Sequence, residues 1–191
     1  MNLYLIRHTR PAIVPGVCYG RLDVALAPES EADIERTLAA IPPISAVWSS
    51  TLERCLALAR RLAARKGVPL IRDERLVELS FGRWEGKRWD EIDRSQTERW
   101  AQNFWDMPPP GGETAAALHA RVAEVISEIQ RSGQESIAVV SHGGPIRAAL
   151  SVCLGINPQQ FPETTIDYGA VFALTKHHGR WAPVGPLHSA T

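Results

Sequence analysis

The chain has 191 residues, 45% of them hydrophobic, and its 21 basic and 21 acidic side chains cancel. That length suits one sizeable α/β domain, and a neutral molecule has no overall field with which to recruit nucleic acid or an anionic membrane. No apolar run approaches bilayer-crossing length, no secretion signal opens the chain, and three scattered cysteines (Cys18, Cys55, Cys153) fit a reducing compartment, so a cytoplasmic protein is expected.

In chain order, a short apolar run near residues 3–6 reads as a buried strand that ends in Arg7-His8. Residues 10–28, rich in Pro and Gly, form a long loop behind it. A second strand near 45–48 closes at Ser49-Ser50, and apolar residues from Leu52 to Ala63 then mark one face of a helix from Thr51 to Lys66, stopped by Gly67. Arg54 lies in that helix's first turn, where a cation opposes the dipole. Either a bound anion compensates it, or it is a surface Arg paired with Glu53 or Glu35. After a strand near 69–71, residues 80–113 hold Trp84, Trp89, Trp100 and Trp105 and close with Pro108-Pro-Pro-Gly-Gly112, as a helical cap would. A longer helix is predicted from Thr114 to Arg131, stopped by Gly133. The strand near 137–140 ends in Ser141-His142-Gly143-Gly144, and Pro145 suits the first turn of a following helix. A last strand is predicted near 168–174, with a loose tail beyond Gly185. Alternating strands and helices imply a largely parallel sheet covered on both faces.

Strands that end in a histidine deliver imidazoles to the sheet edge where open α/β folds bind ligands. Four segments together resemble the signatures of the histidine phosphatase superfamily, in its phosphoglycerate mutase-like branch: Leu5-Ile-Arg-His-Thr9, Ser49-Ser-Thr-Leu-Glu-Arg54, Leu76-Val-Glu-Leu-Ser-Phe-Gly-Arg-Trp-Glu-Gly86 and Val140-Ser-His-Gly-Gly144. The resemblance covers nearly the whole chain. It implies one domain over residues 1–191, three-layered α/β/α with a mostly parallel central sheet and a small helical cap at about 80–113. Where the family usually has Gly after the first histidine this chain has Thr9, and an asparagine that many mutases carry a few residues later is missing. The Arg7-His-Thr-Arg-Pro11 opening, with Cys18-Tyr-Gly-Arg-Leu-Asp23, is most similar to the α-ribazole phosphatase group, which acts in assembling the lower loop of cobalamin.

The resemblance implies a phosphomonoester hydrolase with no cofactor and no metal. His8 is the expected nucleophile, neutral when it attacks, with its other ring nitrogen held by a backbone carbonyl. Arg7, Arg54 and His142 are expected around the phosphoryl oxygens, with Thr9 and Gly143 completing the substrate contacts. Matching motif positions gives Glu78 the acid role, its pKa raised by a nearby dianionic phosphate, and leaves Glu85 bonding neighbouring backbone or Arg83. A broad sugar-phosphate phosphatase or a phosphoglycerate mutase is the alternative enzyme, the mutases resembling longer chains. An inactive phosphate-binding module is the alternative from another class.

The cap tryptophans have two readings: aromatics that let a small cap bury itself, or a wall (Trp84, Trp105, or Tyr19 from the early loop) against an aromatic leaving group. His119 is expected to border the packed face of its helix, and adjacent His177 and His178 to point to opposite faces of a strand. His188 falls in the tail.

Overall fold

The runs at 3–6 and 137–140 are apolar at every position, and such strands need cover on both faces. The computed structural model describes residues 1–159 and 165–185. In it β1 (Asn2–Arg7), β2 (Ala46–Ser49), β3 (Leu70–Arg72) and β4 (Ser136–Ser141) lie parallel. A hairpin of β5 (Val171–His177) and β6 (Arg180–Pro183) adds to the edge, β5 antiparallel to β1, giving the order β3-β2-β4-β1-β5-β6.

Alternation along the central strands sorts the core into two layers. Leu3, Leu5, Ile137 and Val139 pack with Val122, Ile126 and Ile129 of α4 (Ala115–Arg131) and Ile146 and Leu150 of α5 (Gly143–Leu154). Ile6, Ala138 and Val140 pack with Ile34 and Leu38 of α1 (Glu31–Ala40) and Leu58 and Leu62 of α2 (Glu53–Lys66). The three-layer α/β/α architecture expected from the sequence is the one observed.

Local differences have local causes. Helix α2 starts two residues later than the pattern indicates, because Leu52 is extended (ψ 139°). Strand β5 starts only at Val171, since Tyr168-Gly169 is a turn with Gly169 at φ +74°. His178, at φ +49°, belongs to the β5–β6 turn, so His177 and His178 are not successive strand residues as the sequence reading had them. Within 80–113 the helical part is α3 (Arg94–Asn103), which has no buried residue and is preceded by two short 3-10 turns. The tail, with His188, lies outside the described residues.

Candidate active site

Register builds the centre of the site. β1 pairs β4 with Arg7 opposite Ser141, so the next residues, His8 and His142, emerge side by side at the C-terminal edge of the sheet. Their ring centroids are 5.1 Å apart and the planes meet at 67°. Beside them, Ser50 follows β2 and donates its N–H to the Val140 carbonyl. His8 is 1% exposed and His142 fully buried.

The partners of each imidazole fix its tautomer. A carbonyl can only accept, so His8 Nδ1 donates to the Thr9 oxygen (2.7 Å) and Nε2 carries the lone pair. A guanidinium can only donate, so His142 Nδ1 accepts from Arg54 Nε (3.2 Å) and its Nε2–H is left for Ser50 Oγ (2.7 Å). Burial, then the positive charge of Arg54, holds the His8 pKa well below the ordinary imidazole value. Burial, then His8 and Arg54, does the same for His142. Both rings are therefore neutral at pH 7.

Arg54 is fully buried, and of the two sequence readings the surface pair is excluded: Glu53 pairs with Arg60, and Glu35 with Arg61 and Arg65. Its terminal nitrogens donate to the Leu22 and Gly20 carbonyls, both at 2.6 Å, so the long early loop is tied down by the arginine it covers. Arg7 donates Nη1 to the Ile166 carbonyl, and its guanidinium lies 4.0 Å from the centre of the Tyr168 ring. Arg7 Nε and Thr9 Oγ1 are buried without a hydrogen-bond partner among the described residues. Leaving such groups unmade costs about 1–3 kcal/mol each, so they are poised for an acceptor.

Glycine lets the acid approach. Glu78 accepts from the N–H of Gly144 through both carboxylate oxygens (3.2 and 3.3 Å), at the N-terminus of α5. A side-chain carbon on Gly144 would collide with Glu78 Oε1, and one on Gly143 would sit 3.9 Å from both Arg7 Cζ and Glu78 Oε2. Gly144 thus admits Glu78, while at Gly143 the closest approach is that of Arg147 Nη1, at 3.3 Å, with Arg7 and Glu78 at ordinary contact distance. The Glu78 carbonyl is held from behind: Arg21 and Arg121 both donate to it at 3.2 Å while both bond Glu113. Glu85 accepts from the Phe81 N–H at 2.9 Å, a bond to neighbouring backbone.

Nucleophile-ready imidazole, paired arginines and a carboxyl at one sheet edge coincide with a family pattern: the model of the histidine phosphatase superfamily, branch 1, matches residues 3–186. The chain belongs to that superfamily. Phosphoserine phosphatase 1 of Hydrogenobacter thermophilus is 27% identical to it over 168 residues, 84% of this chain and 80% of the relative. A mycobacterial glucosyl-3-phosphoglycerate phosphatase has the same fold (TM-score 0.86, 24% identity, 98% of this chain and 99% of that one). So does the α-ribazole phosphatase of Shigella flexneri (TM-score 0.87, 22% identity, 96% and 94%).

Beyond Glu78 the site opens into a cavity of about 330 Å³, walled by Phe81, Trp100, Phe104, Trp105, Leu118 and His119 and bordered by Gly144 and Arg147. Of the three aromatic wall candidates, Trp105 lines it, its ring 5.6 Å from His119. Trp84 does not: it is 3% exposed, packed with Cys18 and Ile92 and in edge contact with Trp89 and Trp100. Tyr19 lies instead over Arg54. His119 borders the packed face of α4, 3.2 Å from Ser151 Oγ of α5, and also lines the cavity. Sequence reasoning assigned no role to Ser50, Arg147 or Tyr168. Arg147 was findable, since it stands four residues after Gly143 and so on the same helix face. Nothing local marks Tyr168, which reaches the site only through the β1–β5 pairing.

Proposed function

We propose that this chain hydrolyses phosphomonoesters through a phosphohistidine on His8. The observation that carries the reading is the state of that ring: neutral, Nδ1 occupied by the Thr9 carbonyl, and Nε2 left with its lone pair among the guanidiniums of Arg7 and Arg54. In the first step Nε2 bonds to phosphorus as the ester P–O bond breaks, and the leaving oxygen takes the electron pair and a proton from Glu78. In the second, Glu78 takes a proton from water as its oxygen bonds phosphorus, and the P–N pair returns to Nε2, releasing phosphate. Arg7, Arg54, His142, Thr9 Oγ1 and the Gly143 N–H stabilise the phosphoryl oxygens, and His142 also holds Arg54 in place.

Turnover needs no metal in this scheme, because the charges that face the phosphoryl group are Arg side chains. The proposed substrate is α-ribazole 5′-phosphate, in a cytoplasmic setting. Support comes from the Arg7-to-Pro11 and Cys18-to-Asp23 segments and from the aromatic walls of the cavity beside Glu78, which suit a flat ring system. Brief incubation with labelled substrate and a non-acidic quench should leave phosphate on His8. Near-native turnover by His8→Ala would overturn the mechanism. In a substrate panel, kcat/KM should be higher for α-ribazole 5′-phosphate than for phosphoserine, 3-phosphoglycerate or a hexose phosphate; the reverse order removes the substrate and leaves the chemistry.

A further inference from the structure

Among the described residues Arg54 has three hydrogen-bonded anchors, whereas Arg7 has one, the Ile166 carbonyl, and a buried Nε without a partner. What sets the plane of Arg7 is the ring of Tyr168, which lies 4.0 Å beneath its guanidinium carbon. Tyr168 is itself in a turn and 38% exposed, a poor foundation by itself. Its hydroxyl, however, lies 2.9 Å from that of Tyr19. Tyr19 in turn stacks over Arg54 at 5.1 Å and directly precedes Gly20, whose carbonyl accepts from Arg54. The Tyr168 ring also leans on His8, with centroids 5.6 Å apart. A continuous path thus runs from buried Arg54 through Tyr19 and Tyr168 to Arg7, across the mouth above the nucleophile.

We propose that the Tyr19–Tyr168 hydrogen bond is a bridge that positions Arg7 for phosphate, joining the early loop to the turn before β5. The two tyrosines are positioning residues that act through the guanidiniums. This rests on the reading that phosphate binds between Arg7 and Arg54. The bridge makes the two hydroxyls worth something only together, and it makes the Tyr168 ring worth more than its hydroxyl. A cation over an aromatic face contributes about 0.5–2 kcal/mol, roughly twofold to thirtyfold in binding; a neutral hydrogen bond contributes about 0.5–1.5 kcal/mol, roughly twofold to twelvefold.

The test is the inhibition constant of inorganic phosphate, with p-nitrophenyl phosphate as reporter, and direct phosphate binding by calorimetry. Tyr19→Phe and Tyr168→Phe should each weaken phosphate about twofold to tenfold, and the double variant no further, the signature of one shared bond. Tyr168→Leu should weaken it more than Tyr168→Phe, and its Tm should stay close to that of the native protein. Additive effects of the two Phe substitutions, or unchanged phosphate binding in Tyr168→Leu, would overturn the bridge even while His8 still becomes phosphorylated. If the native protein neither labels His8 nor binds phosphate, the parent reading fails and the bridge with it.

Discussion

In the proposed reaction His8 and Glu78 depend on different neighbours, so single substitutions separate their roles. With Glu78 as proton donor, Glu78→Gln should lower kcat for an alkyl phosphate by about 10²–10⁴-fold, because an alkoxide leaves poorly without a proton. Phosphoenzyme formation from p-nitrophenyl phosphate should fall much less, since nitrophenolate leaves unaided. Rapid-quench measurement of that first step gives the comparison, and equal losses for both substrates would make Glu78 structural. Arg54 is a second case. Its fork meets two carbonyls and one imidazole from a fully buried position, and an ammonium, whose donors all leave one nitrogen, cannot reach partners spread around three. Arg54→Lys should cost about 10²-fold or more in kcat/KM for p-nitrophenyl phosphate. Activity within tenfold of native would show that the fork is dispensable.

Elements meet at two glycine contacts whose consequences differ. A side-chain carbon on Gly112 would strike the Ser80 carbonyl, and one on Gly82, at φ +54°, the Pro110 carbonyl. The Pro108–Gly112 stretch is therefore more than a helix stop, since its backbone lies against that of Ser80–Gly82. Gly112→Ala should destabilise the fold by about 1–3 kcal/mol, visible in chemical denaturation, because neither backbone can yield cheaply. At the start of α5 the obstacle to Gly144→Ala is the end of a flexible side chain, Glu78. That variant should keep most of its stability and lose activity toward alkyl phosphates as Glu78→Gln does. A large loss of stability with activity retained would contradict this account.

Across the whole molecule, two neutral buried histidines shape the dependence of stability on pH. In the unfolded chain an imidazole titrates near pH 6.5, whereas His8 and His142 in the folded chain titrate well below that, chiefly through burial. Below about pH 6.5 the unfolded state then binds more protons, so stability falls as pH falls. The loss approaches about 1.4 kcal/mol per pH unit for each histidine until its folded pKa is reached. Glu113 acts in a lower window: burial raises its pKa, but the Arg121 bond and the charges of Arg121 and Arg21 bring it below the ordinary value. Its contribution, present above the ordinary carboxyl range, is lost on further acidification. Denaturant unfolding at pH 7, 6 and 5 should show a progressive decrease, smaller in His8→Asn; a flat profile would mean that the imidazoles are not held neutral.

The strand ends were legible because an apolar run of four to six residues followed by Arg-His or Ser-His can be buried in few ways. The same local logic gave α2 and α4, whose apolar residues repeat with helical period and whose ends carry Gly67 and Gly133. Short α1 and edge strand β6 carried no comparable pattern. The layered architecture and the family were readable before any fold was known, since they follow from periodicity and from four short motifs, each contiguous in the chain. It took the folded chain to settle which tryptophans face the cavity, that Arg54 is locked by carbonyls more than thirty residues upstream, and that Tyr168 lies under Arg7. Such contacts join residues far apart in the chain, so no local spacing encodes them; strand register and the course of the long early loop do.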